Sequence, residues 1–352
     1  MRKASGIYVF AGGFTEGVKK HFEVVSHFED GPYGAATCRV NHPEVRIYDD
    51  PPTWRDFMLK PVDFVYANPP CAPWSAAGSK SVSHREFVGG VDVRDPRVAC
   101  WHNTVDAVLW MSPPVAVIES VTRCWTKGRE FVLGVADKMA RGGYALTVVL
   151  HDGNDCGVPQ RRKRAFFVFH RVAFNAETPR GDGPRTVREA FAQVVDPYPE
   201  LANMWEEEVA CLKQTLPGQL LRDVYDRIYG QTKWDPERKV FGGRPGFLRK
   251  RLEWDKPSTT ITGGATLFHP EEDRHISARE QATLCGYPQS YEFVGSKNLK
   301  YQMAAQAVMP PVGAWIAGEV ARCLDANEPI RDGLFTREVD YANRANLFRW
   351  RD

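Results

Sequence analysis

Short apolar runs alternate with longer amphipathic stretches through the first half of the 352-residue chain. This alternation predicts an α/β fold with a parallel, doubly wound sheet. The predicted strands are Gly6–Phe10, Val24–His27, Val45–Tyr48, Val62–Ala67, Val115–Glu119, Tyr144–Leu150 and Ala165–Phe169. Helix-like segments include Thr104–Met111, Arg129–Ala140 and, further on, Val312–Leu324.

Glycines, acids and a Pro-Pro-Cys turn follow the ends of the first five predicted strands. In chain order these ends are Gly12-Gly13-Phe14, Glu29-Asp30, Asp49-Asp50, Asn68-Pro69-Pro70-Cys71 and Glu119. Since open α/β sheets bind ligands beyond the carboxyl ends of their strands, we expect one site to gather these residues.

The strand-end residues suit a cofactor that contains adenosine. A glycine turn admits close approach of a ligand, and an acid after the second strand can accept hydrogen bonds from ribose hydroxyls. The pyrophosphate fingerprint GxGxxG is absent, which favours S-adenosylmethionine over NAD; a plain tight turn is the alternative. The predicted cofactor contacts are Phe10, Ala11, Gly12, Gly13, Phe14, Glu29, Asp30, Asp49, Asp50, Asn68 and Pro69.

Composition excludes several other classes of protein. Hydrophobic content is 43% and charged content 26%, as in an ordinary globular chain, and the net charge is only +2. The eight cysteines show no CxxC pair or metal-ligand spacing, so we expect no metal site, no disulfide scaffold and reduced thiols in a cytoplasm. No signal peptide and no apolar stretch of about 18 residues is present, so we expect no membrane span.

Cys71 is the candidate nucleophile. A thiol attacks as its thiolate, and the preceding Pro69-Pro70 pair stiffens the loop that presents it. The alternative is a buried apolar cysteine, which is the commoner fate of a lone cysteine.

The motifs around Cys71 resemble those of DNA (cytosine-5) methyltransferases. Asn68–Ser75 looks like that family's Pro-Cys loop, and Val117–Val121 is similar to its Glu-Asn-Val segment. Cys156–Arg164 resembles its Gln-x-Arg-x-Arg segment. Further similar segments are Lys256–Thr262, His269-Pro270, Arg279-Glu280, Leu284–Pro288 and Gln306–Pro311, the last of which adds Gln306 and Val308 to the cofactor contacts.

The resemblance covers roughly residues 6–170 and 254–320 in the family's order. It implies a Rossmann-like S-adenosylmethionine-dependent methyltransferase sheet with a small, irregular target-recognition domain. We therefore divide the chain into a first catalytic part (1–175), a recognition region (176–253), a return to the catalytic domain (254–325) and an unassigned tail (326–352).

The resemblance also implies a mechanism. Cys71 adds to C6 of a cytosine flipped out of double-stranded DNA, and C5 then takes the methyl group. Glu119, as a proton-sharing carboxyl, holds ring N3 and the exocyclic amine. Arg162 and Arg164, which we expect on one face of one strand, hold the cytosine carbonyl and a phosphate. A solvated acid and a solvated basic strand edge are the alternatives.

A basic segment, Lys233–Arg251, lies where the family keeps its recognition domain. It has seven basic residues against two acids, with Trp234, Phe241 and Phe247 interleaved. This pattern predicts a DNA-backbone contact surface, although a solvated charged loop is the alternative. The predicted DNA contacts are Gln160, Arg238, Lys239, Arg244, Arg249, Lys250 and Arg251. The short region predicts a recognition site of a few base pairs.

The chain departs from the family at five positions. Tyr8 and Phe10 stand where the first motif has Phe and Gly, Ser120 follows Glu119 in place of Asn, and Ala305-Gln306 replaces the Gly-Asn of the last motif. Asn68-Pro69-Pro70 also fits amino-methyltransferases, which modify adenine N6 or cytosine N4. A tRNA cytosine-5 methyltransferase and a non-catalytic DNA-binding relative are further alternatives. We expect a monomeric enzyme of prokaryotic or phage type.

Overall fold

In the computed structural model the described residues are 1–50, 54–58, 61–74, 87–88, 91–92, 95–196, 201–229, 234–235, 240–241, 249–330, 333–342 and 348–349. The chain forms two compact units. The first comprises Met1–Cys156, Lys163–Asp182 and Ala307–Asp352, and the second comprises Gly157–Arg162 and Gly183–Gln306. The second unit thus takes in most of the predicted recognition region and the segment up to 306; the functional division of the chain stays a prediction.

The strands are β1 Lys3–Ile7, β2 Glu23–Phe28, β3 Arg46–Tyr48, β4 Phe64–Ala67, β5 Phe87–Val88, β6 Val91–Asp92, β7 Val115–Val121, β8 Ala145–Asp152, β9 Lys163–His170, β10 Trp234–Asp235, β11 Val240–Phe241, β12 Lys250–Arg251, β13 Leu267–Phe268, β14 Thr336–Asp340 and β15 Phe348–Arg349. The helices are α1 Gly13–Val18, α2 Pro32–Asn41, α3 Trp54–Met58, α4 Val98–Met111, α5 Thr122–Thr126, α6 Arg129–Arg141, α7 Val187–Phe191, α8 Glu206–Leu212, α9 Leu221–Tyr229, α10 Ala278–Leu284, α11 Lys297–Gln306 and α12 Pro310–Ala326.

The first unit is built on one sheet with the strand order β15-β14-β8-β9-β7-β4-β1-β2-β3. Most neighbouring pairs are parallel, so the predicted α/β class with a Rossmann-like sheet is confirmed. The parallel arrangement is interrupted at β9, which runs antiparallel to both β7 and β8, and at β15, which runs antiparallel to β14. Only a short segment joins β8 to β9, and a parallel pair would require a longer crossover connection.

Side chains on the two faces of the sheet pack against different helices. Phe166 of β9 lies with Phe14 of α1 and Trp315 of α12, at ring-centroid distances of 5.9 and 6.3 Å. The next residue, Phe167, lies 5.5 Å from Trp101 of α4. Because successive strand residues point to opposite faces, helices cover the sheet on both sides. The carboxyl ends of the strands remain as the place for a ligand site.

The chain's tail extends the sheet. Strand β14 pairs in parallel with β8, and Trp125 Nε1 donates a 2.7 Å hydrogen bond to Glu338 Oε2. The sequence does not predict this strand, because Thr336–Asp340 contains a single apolar residue, Val339, and shows no strand-like alternation.

The second unit is mainly helical and carries short strand pairs. Capping boxes begin α7 at Thr186 and α10 at Ser277, each with a glutamate three residues on. Helices α8 and α9 share a small apolar core with Phe268 of β13. Within the described residues, the second unit therefore has capped helices and a small apolar core of its own.

Candidate active site

Strand register brings three predicted site residues to one end of the sheet. The parallel pair β4–β7 aligns Ala67 with Ile118, so the next residues, Asn68 and Glu119, lie side by side. The antiparallel pair β7–β9 aligns Glu119 with Phe166, which places Arg164 diagonally across from Glu119 on the same face. Side chains distant in sequence therefore converge because of backbone pairing.

The Glu119 carboxyl is buried, with 5% of the residue exposed, and both of its oxygens have partners. Asn68 Nδ2 donates to Oε2 at 2.6 Å, and Arg164 Nε lies 3.3 Å from Oε1. A buried carboxyl needs such donors because water cannot reach it. The solvated-acid alternative for Glu119 does not describe this environment.

Cys71 lies on the loop that continues β4, three residues after Asn68. Pro69 before it is buried, and Trp74 after it packs between Trp101 and Phe131 with ring centroids 5.4 Å away in both cases. The backbone N–H of Trp74 donates to the carbonyl of Cys71 at 3.1 Å. The half-buried thiol is therefore carried by a loop that is fixed on both sides.

The other thiols differ from Cys71 in exposure. Six of the eight free cysteines are buried, and Cys71 and Cys100 are half-buried. Burial raises the pKa of the Cys124 thiol well above its usual value, so this neighbour of the site stays neutral. A cysteine forms a thiolate readily only where solvent or a positively charged neighbour stabilises the negative charge, and a fully buried cysteine has neither advantage.

The glycine turn and the acid after β2 are joined directly. The backbone N–H groups of Phe10 and Gly31 donate to Glu29 Oε2 and Oε1 at 2.7 and 3.0 Å. Gly12 begins α1 with a φ of 75°, a left-handed conformation that glycine adopts without strain. Burial raises the pKa of Glu29 to about 7, and the two backbone donors act in the opposite direction.

The first-motif departures have structural consequences. Tyr8 and Phe10 both adopt left-handed backbone conformations, with φ of 52° and 49°, where the family pattern has Gly at the second position. The Tyr8 hydroxyl accepts from Asn103 Nδ2 at 3.4 Å. Asn103 carries no sequence signal of its own, so sequence analysis missed it.

The remaining acids of the predicted cofactor site lie at the surface. Asp30, Asp49 and Asp50 are exposed, and Asp49 forms an ion pair with Arg39 of α2. Together with Phe10–Phe14 and Glu29 they line the carboxyl ends of β1 to β3. The glycine turn permits close approach of a ligand, and the carboxylates can accept hydrogen bonds from ribose hydroxyls. This combination fits an adenosine moiety.

Arg162 does not share a strand with Arg164, so that prediction is wrong. Strand β9 begins at Lys163, where its pairing with Asp152 of β8 starts, and Arg162 precedes it as part of the second unit. Arg162 is buried, and its Nη1 donates to the carbonyl of Ile261 at 2.9 Å.

Gln160 is a structural link within the second unit. Its side chain is fully buried; Nε2 donates to the Leu284 carbonyl at 3.2 Å, and Oε1 accepts from the Ile261 N–H at 3.1 Å. An amide held at both ends has little left to offer a DNA phosphate. For Gln160 we therefore infer a structural role in place of the predicted DNA contact.

The predicted basic surface is only partly described. Arg238, Lys239 and Arg244 lie outside the described residues. Arg249 forms an ion pair with buried Glu208, and Lys250 Nζ lies 3.9 Å from Glu253 Oε1. For these two residues the DNA contact stays a prediction.

Arg251 is buried in the second unit. Its guanidinium pairs with Asp273 and donates to the carbonyls of Glu271 and Leu212 at 3.1 and 2.9 Å. Such a guanidinium is committed to holding three chain segments together. We infer that Arg251 stabilises the unit and does not contact DNA.

The last predicted cofactor segment falls at the junction of the two units in the sequence. Val308 is buried in the first unit, whereas Gln306 is exposed at the end of α11. Within the second unit the Gln306 amide lies directly over Gly263, where a Cβ would overlap its Nε2. Gly263 was not singled out from the sequence, although the Gly263-Gly264 pair is a visible signal.

The described ranges contain no group of three His, Cys, Asp or Glu side chains that could hold a metal ion. Among the helices described above, none is both long and apolar enough to cross a membrane.

The sheet order and the Pro-Pro-Cys loop at the carboxyl end of β4 define a Rossmann-like methyltransferase. The chain belongs to the C-5 cytosine-specific DNA methylase family, whose model matches residues 5–322. This membership confirms methyl transfer to C5 of cytosine in DNA as the activity class and decides against the amino-methyltransferase alternative. The family uses S-adenosylmethionine as methyl donor.

Sequence relatives are bacterial type II methyltransferases. The chain is 26% identical over 334 residues to M1.HphI of Haemophilus parahaemolyticus, covering 90% of this chain and 86% of the relative. It is 25% identical over 337 residues to M.AplI of Arthrospira platensis, covering 92% and 87%. Both matches extend over nearly the whole of each chain.

Solved structures share the fold. Dnmt2 of S. pombe aligns with a TM-score of 0.58 and 16% identity over 92% of this chain and all of that one. A prophage-encoded E. coli protein, described as a DNA modification methyltransferase, aligns with a TM-score of 0.64 and 18% identity over 92% and 100%. At these identities the likeness shows the fold alone.

Proposed function

We propose that Cys71, Glu119 and Arg164 carry out cytosine-5 methylation on a base flipped out of double-stranded DNA. The observation that supports this most is the convergence of Asn68, Glu119 and Arg164 at the strand ends, with Cys71 three residues beyond Asn68 on the same loop. A nucleophile and a carboxyl that can share a proton with the ring are the two groups that this reaction requires.

In the proposed reaction the Cys71 thiolate forms a bond to C6 of cytosine, which raises electron density at C5. Glu119 holds ring N3 and the exocyclic amine as the thiolate adds. When bound, S-adenosylmethionine would supply an electrophilic methyl group to C5 and leave as S-adenosylhomocysteine. Loss of the C5 proton to a base and elimination of the Cys71 thiolate restore the aromatic ring and the free enzyme.

Arg164 and Arg162 have separate parts in this proposal. Arg164, whose Nε lies beside Glu119, is proposed to hold the cytosine carbonyl. For Arg162, whose Nη1 is engaged by the Ile261 carbonyl, contact with a neighbouring phosphate is the proposed role.

We further propose that the methyl donor is bound by Phe10–Phe14, Glu29, Asp30, Asp50, Pro69, Gln306 and Val308. The enzyme is proposed to act as a monomer in a prokaryotic cytoplasm, on a recognition site of a few base pairs. The recognition region is proposed to lie within the second unit.

Base-resolution methylation mapping tests the proposed activity. DNA from cells that express the protein is expected to carry 5-methylcytosine at a short, constant sequence, read by bisulfite sequencing and by mass spectrometry of the nucleosides. N4-methylcytosine or N6-methyladenine in place of 5-methylcytosine would contradict the chemistry. Methylation confined to sites of six or more specified pairs would contradict the short site.

Gly263 offers a test of the proposed cofactor role of Gln306. In Gly263→Ala the new Cβ overlaps Gln306 Nε2, so the flexible side chain must turn its amide away while the fold persists. We expect the Kd for S-adenosylmethionine, measured by calorimetry, to rise about 3- to 10-fold, which is roughly 1 kcal/mol.

Gly264→Ala is the matched control, because a Cβ there meets no atom within 4 Å. Its Kd is expected to equal that of the parent, and both variants should unfold at the parent's temperature. Shortening the amide in Gly263→Ala/Gln306→Asn should recover part of the lost affinity. Equal Kd values for the two alanine variants would remove Gln306 from the cofactor site.

A further inference from the structure

Asn68 follows the carboxyl end of β4, the strand that lies between β1 and β7 in the sheet. Its backbone N–H donates to the carbonyl of Ile7 in β1 at 3.1 Å, and its side chain reaches Glu119 in the line of β7. The backbone of Asn68 is therefore hydrogen-bonded to β1, and its side chain is hydrogen-bonded to Glu119 of β7. The sequence predicts Asn68 as a cofactor contact, because it follows the end of the fourth predicted strand.

The short Asn68–Glu119 hydrogen bond is a consequence of register. Ala67 is paired with Ile118, so residues 68 and 119 leave the sheet at the same level. The 2.6 Å distance between Asn68 Nδ2 and Glu119 Oε2 is that of a strong bond to a carboxyl group. Arg164 approaches the other oxygen, Oε1, at 3.3 Å, so two donors from opposite sides fix the plane of the carboxyl.

Ser120 cannot supply this contact. Successive residues of β7 point to opposite faces of the sheet, so the side chain after Glu119 points away from it. The Ser120 side chain is fully buried. The amide that fixes the carboxyl therefore has to come from a neighbouring strand in this chain.

We propose that Asn68 is the positioning residue for Glu119, acting through that carboxyl and not as a cofactor contact. Its amide fixes the orientation of Oε2 before the base enters, without adding a charge to a site that already holds Arg164. This inference rests on the proposed role of Glu119. A carboxyl held by two donors loses less entropy when it meets the ring than a freely rotating one.

A double-mutant cycle tests the proposal with single-turnover methyl transfer on DNA. Asn68→Ala is expected to lower the rate of methyl transfer about 10- to 100-fold, the range seen when a supporting hydrogen bond is removed, while the Kd for S-adenosylmethionine changes less than twofold. In the Glu119→Ala background, Asn68→Ala is expected to cause no further loss, because its target is gone.

Asn68→Asp supplies a pH readout that a merely structural role would not give. It keeps the shape of the side chain but places a second carboxyl against Glu119, and two such acids cannot both ionise at this distance. We expect lower activity than Asn68→Ala at pH 8 and partial recovery at pH 6, where a shared proton restores the bridge.

Several outcomes would overturn the assignment. They are a parental rate for Asn68→Ala, an additive loss in the double variant, or a large rise in the Kd for S-adenosylmethionine, which would return Asn68 to the cofactor site. Glu119→Ala distinguishes a failure of the proposed role of Glu119 from a failure of the proposed positioning role of Asn68. If that variant alone keeps the parental rate, the proposed role of Glu119 fails; if it loses activity and Asn68→Ala does not, only the positioning role fails.

Discussion

Replacing Cys71 by serine is expected to reduce methyl transfer by at least about 10³-fold, equivalent to more than about 4 kcal/mol of transition-state stabilisation. A thiol is a few per cent thiolate at pH 7, whereas a serine hydroxyl does not ionise without an activating base. The half-buried side chain sits on a loop fixed by Pro69 and Trp74, so the change should leave the fold intact. Transfer of labelled methyl groups to DNA measures the loss.

Cys323→Ser is the matched control for Cys71→Ser. Its thiol on α12 is buried near the Asn175 carbonyl, which a hydroxyl can also donate to, and burial raises the pKa of this thiol. We expect parental activity from Cys323→Ser, and an unchanged Kd for S-adenosylmethionine in both variants. A Cys71→Ser enzyme that methylates as fast as the parent would exclude Cys71 as the nucleophile.

Glu119→Gln is the second substitution with a large expected effect. Glutamine can still accept the Asn68 hydrogen bond through its carbonyl oxygen, although its NH2 group then faces the Arg164 guanidinium. It cannot share a proton with ring N3. We expect kcat to fall about 10²- to 10⁴-fold, the contribution that a positioned acid or base makes. The KM for S-adenosylmethionine should change little, since Glu119 lies outside the proposed cofactor contacts.

Glu338→Gln is a suitable control for Glu119→Gln. Its Oε2 accepts from Trp125 Nε1 at 2.7 Å in the same sheet, and glutamine can keep that bond. We expect parental kcat from this variant and similar unfolding temperatures for all three proteins. An unimpaired kcat in Glu119→Gln would show that the carboxyl takes no part in methyl transfer.

The sheet, and the residues that follow its strands, could be predicted from the sequence because both depend on local pattern. Apolar runs such as Val115–Glu119 coincide with observed strands, and the residues that follow them lie at the strand ends. The position of the candidate nucleophile after Pro69-Pro70 is likewise a local property. The activity class followed from the order of motifs, which the family match confirms.

Partnerships between side chains could not be predicted, because they depend on strand register and on tertiary packing. Whether Asn68 meets the cofactor or Glu119 is decided by the alignment of Ala67 with Ile118, which no local pattern encodes. Basic residues near 250 suggested a DNA surface, yet Arg251 is buried among carbonyl groups of its own unit. Charge in a sequence does not reveal whether its partner is a nucleic acid or the protein itself.

Covalent trapping tests the central claim, nucleophilic attack by Cys71, most directly. DNA made with 5-fluorodeoxycytidine at every cytosine includes the recognition site whatever its sequence, and fluorine at C5 blocks the proton loss that releases the enzyme. With S-adenosylmethionine, the parent and Cys323→Ser are expected to form a complex that survives denaturing electrophoresis, whereas Cys71→Ser should form none. Absence of the complex from the parent, or its persistence in Cys71→Ser, would contradict the account.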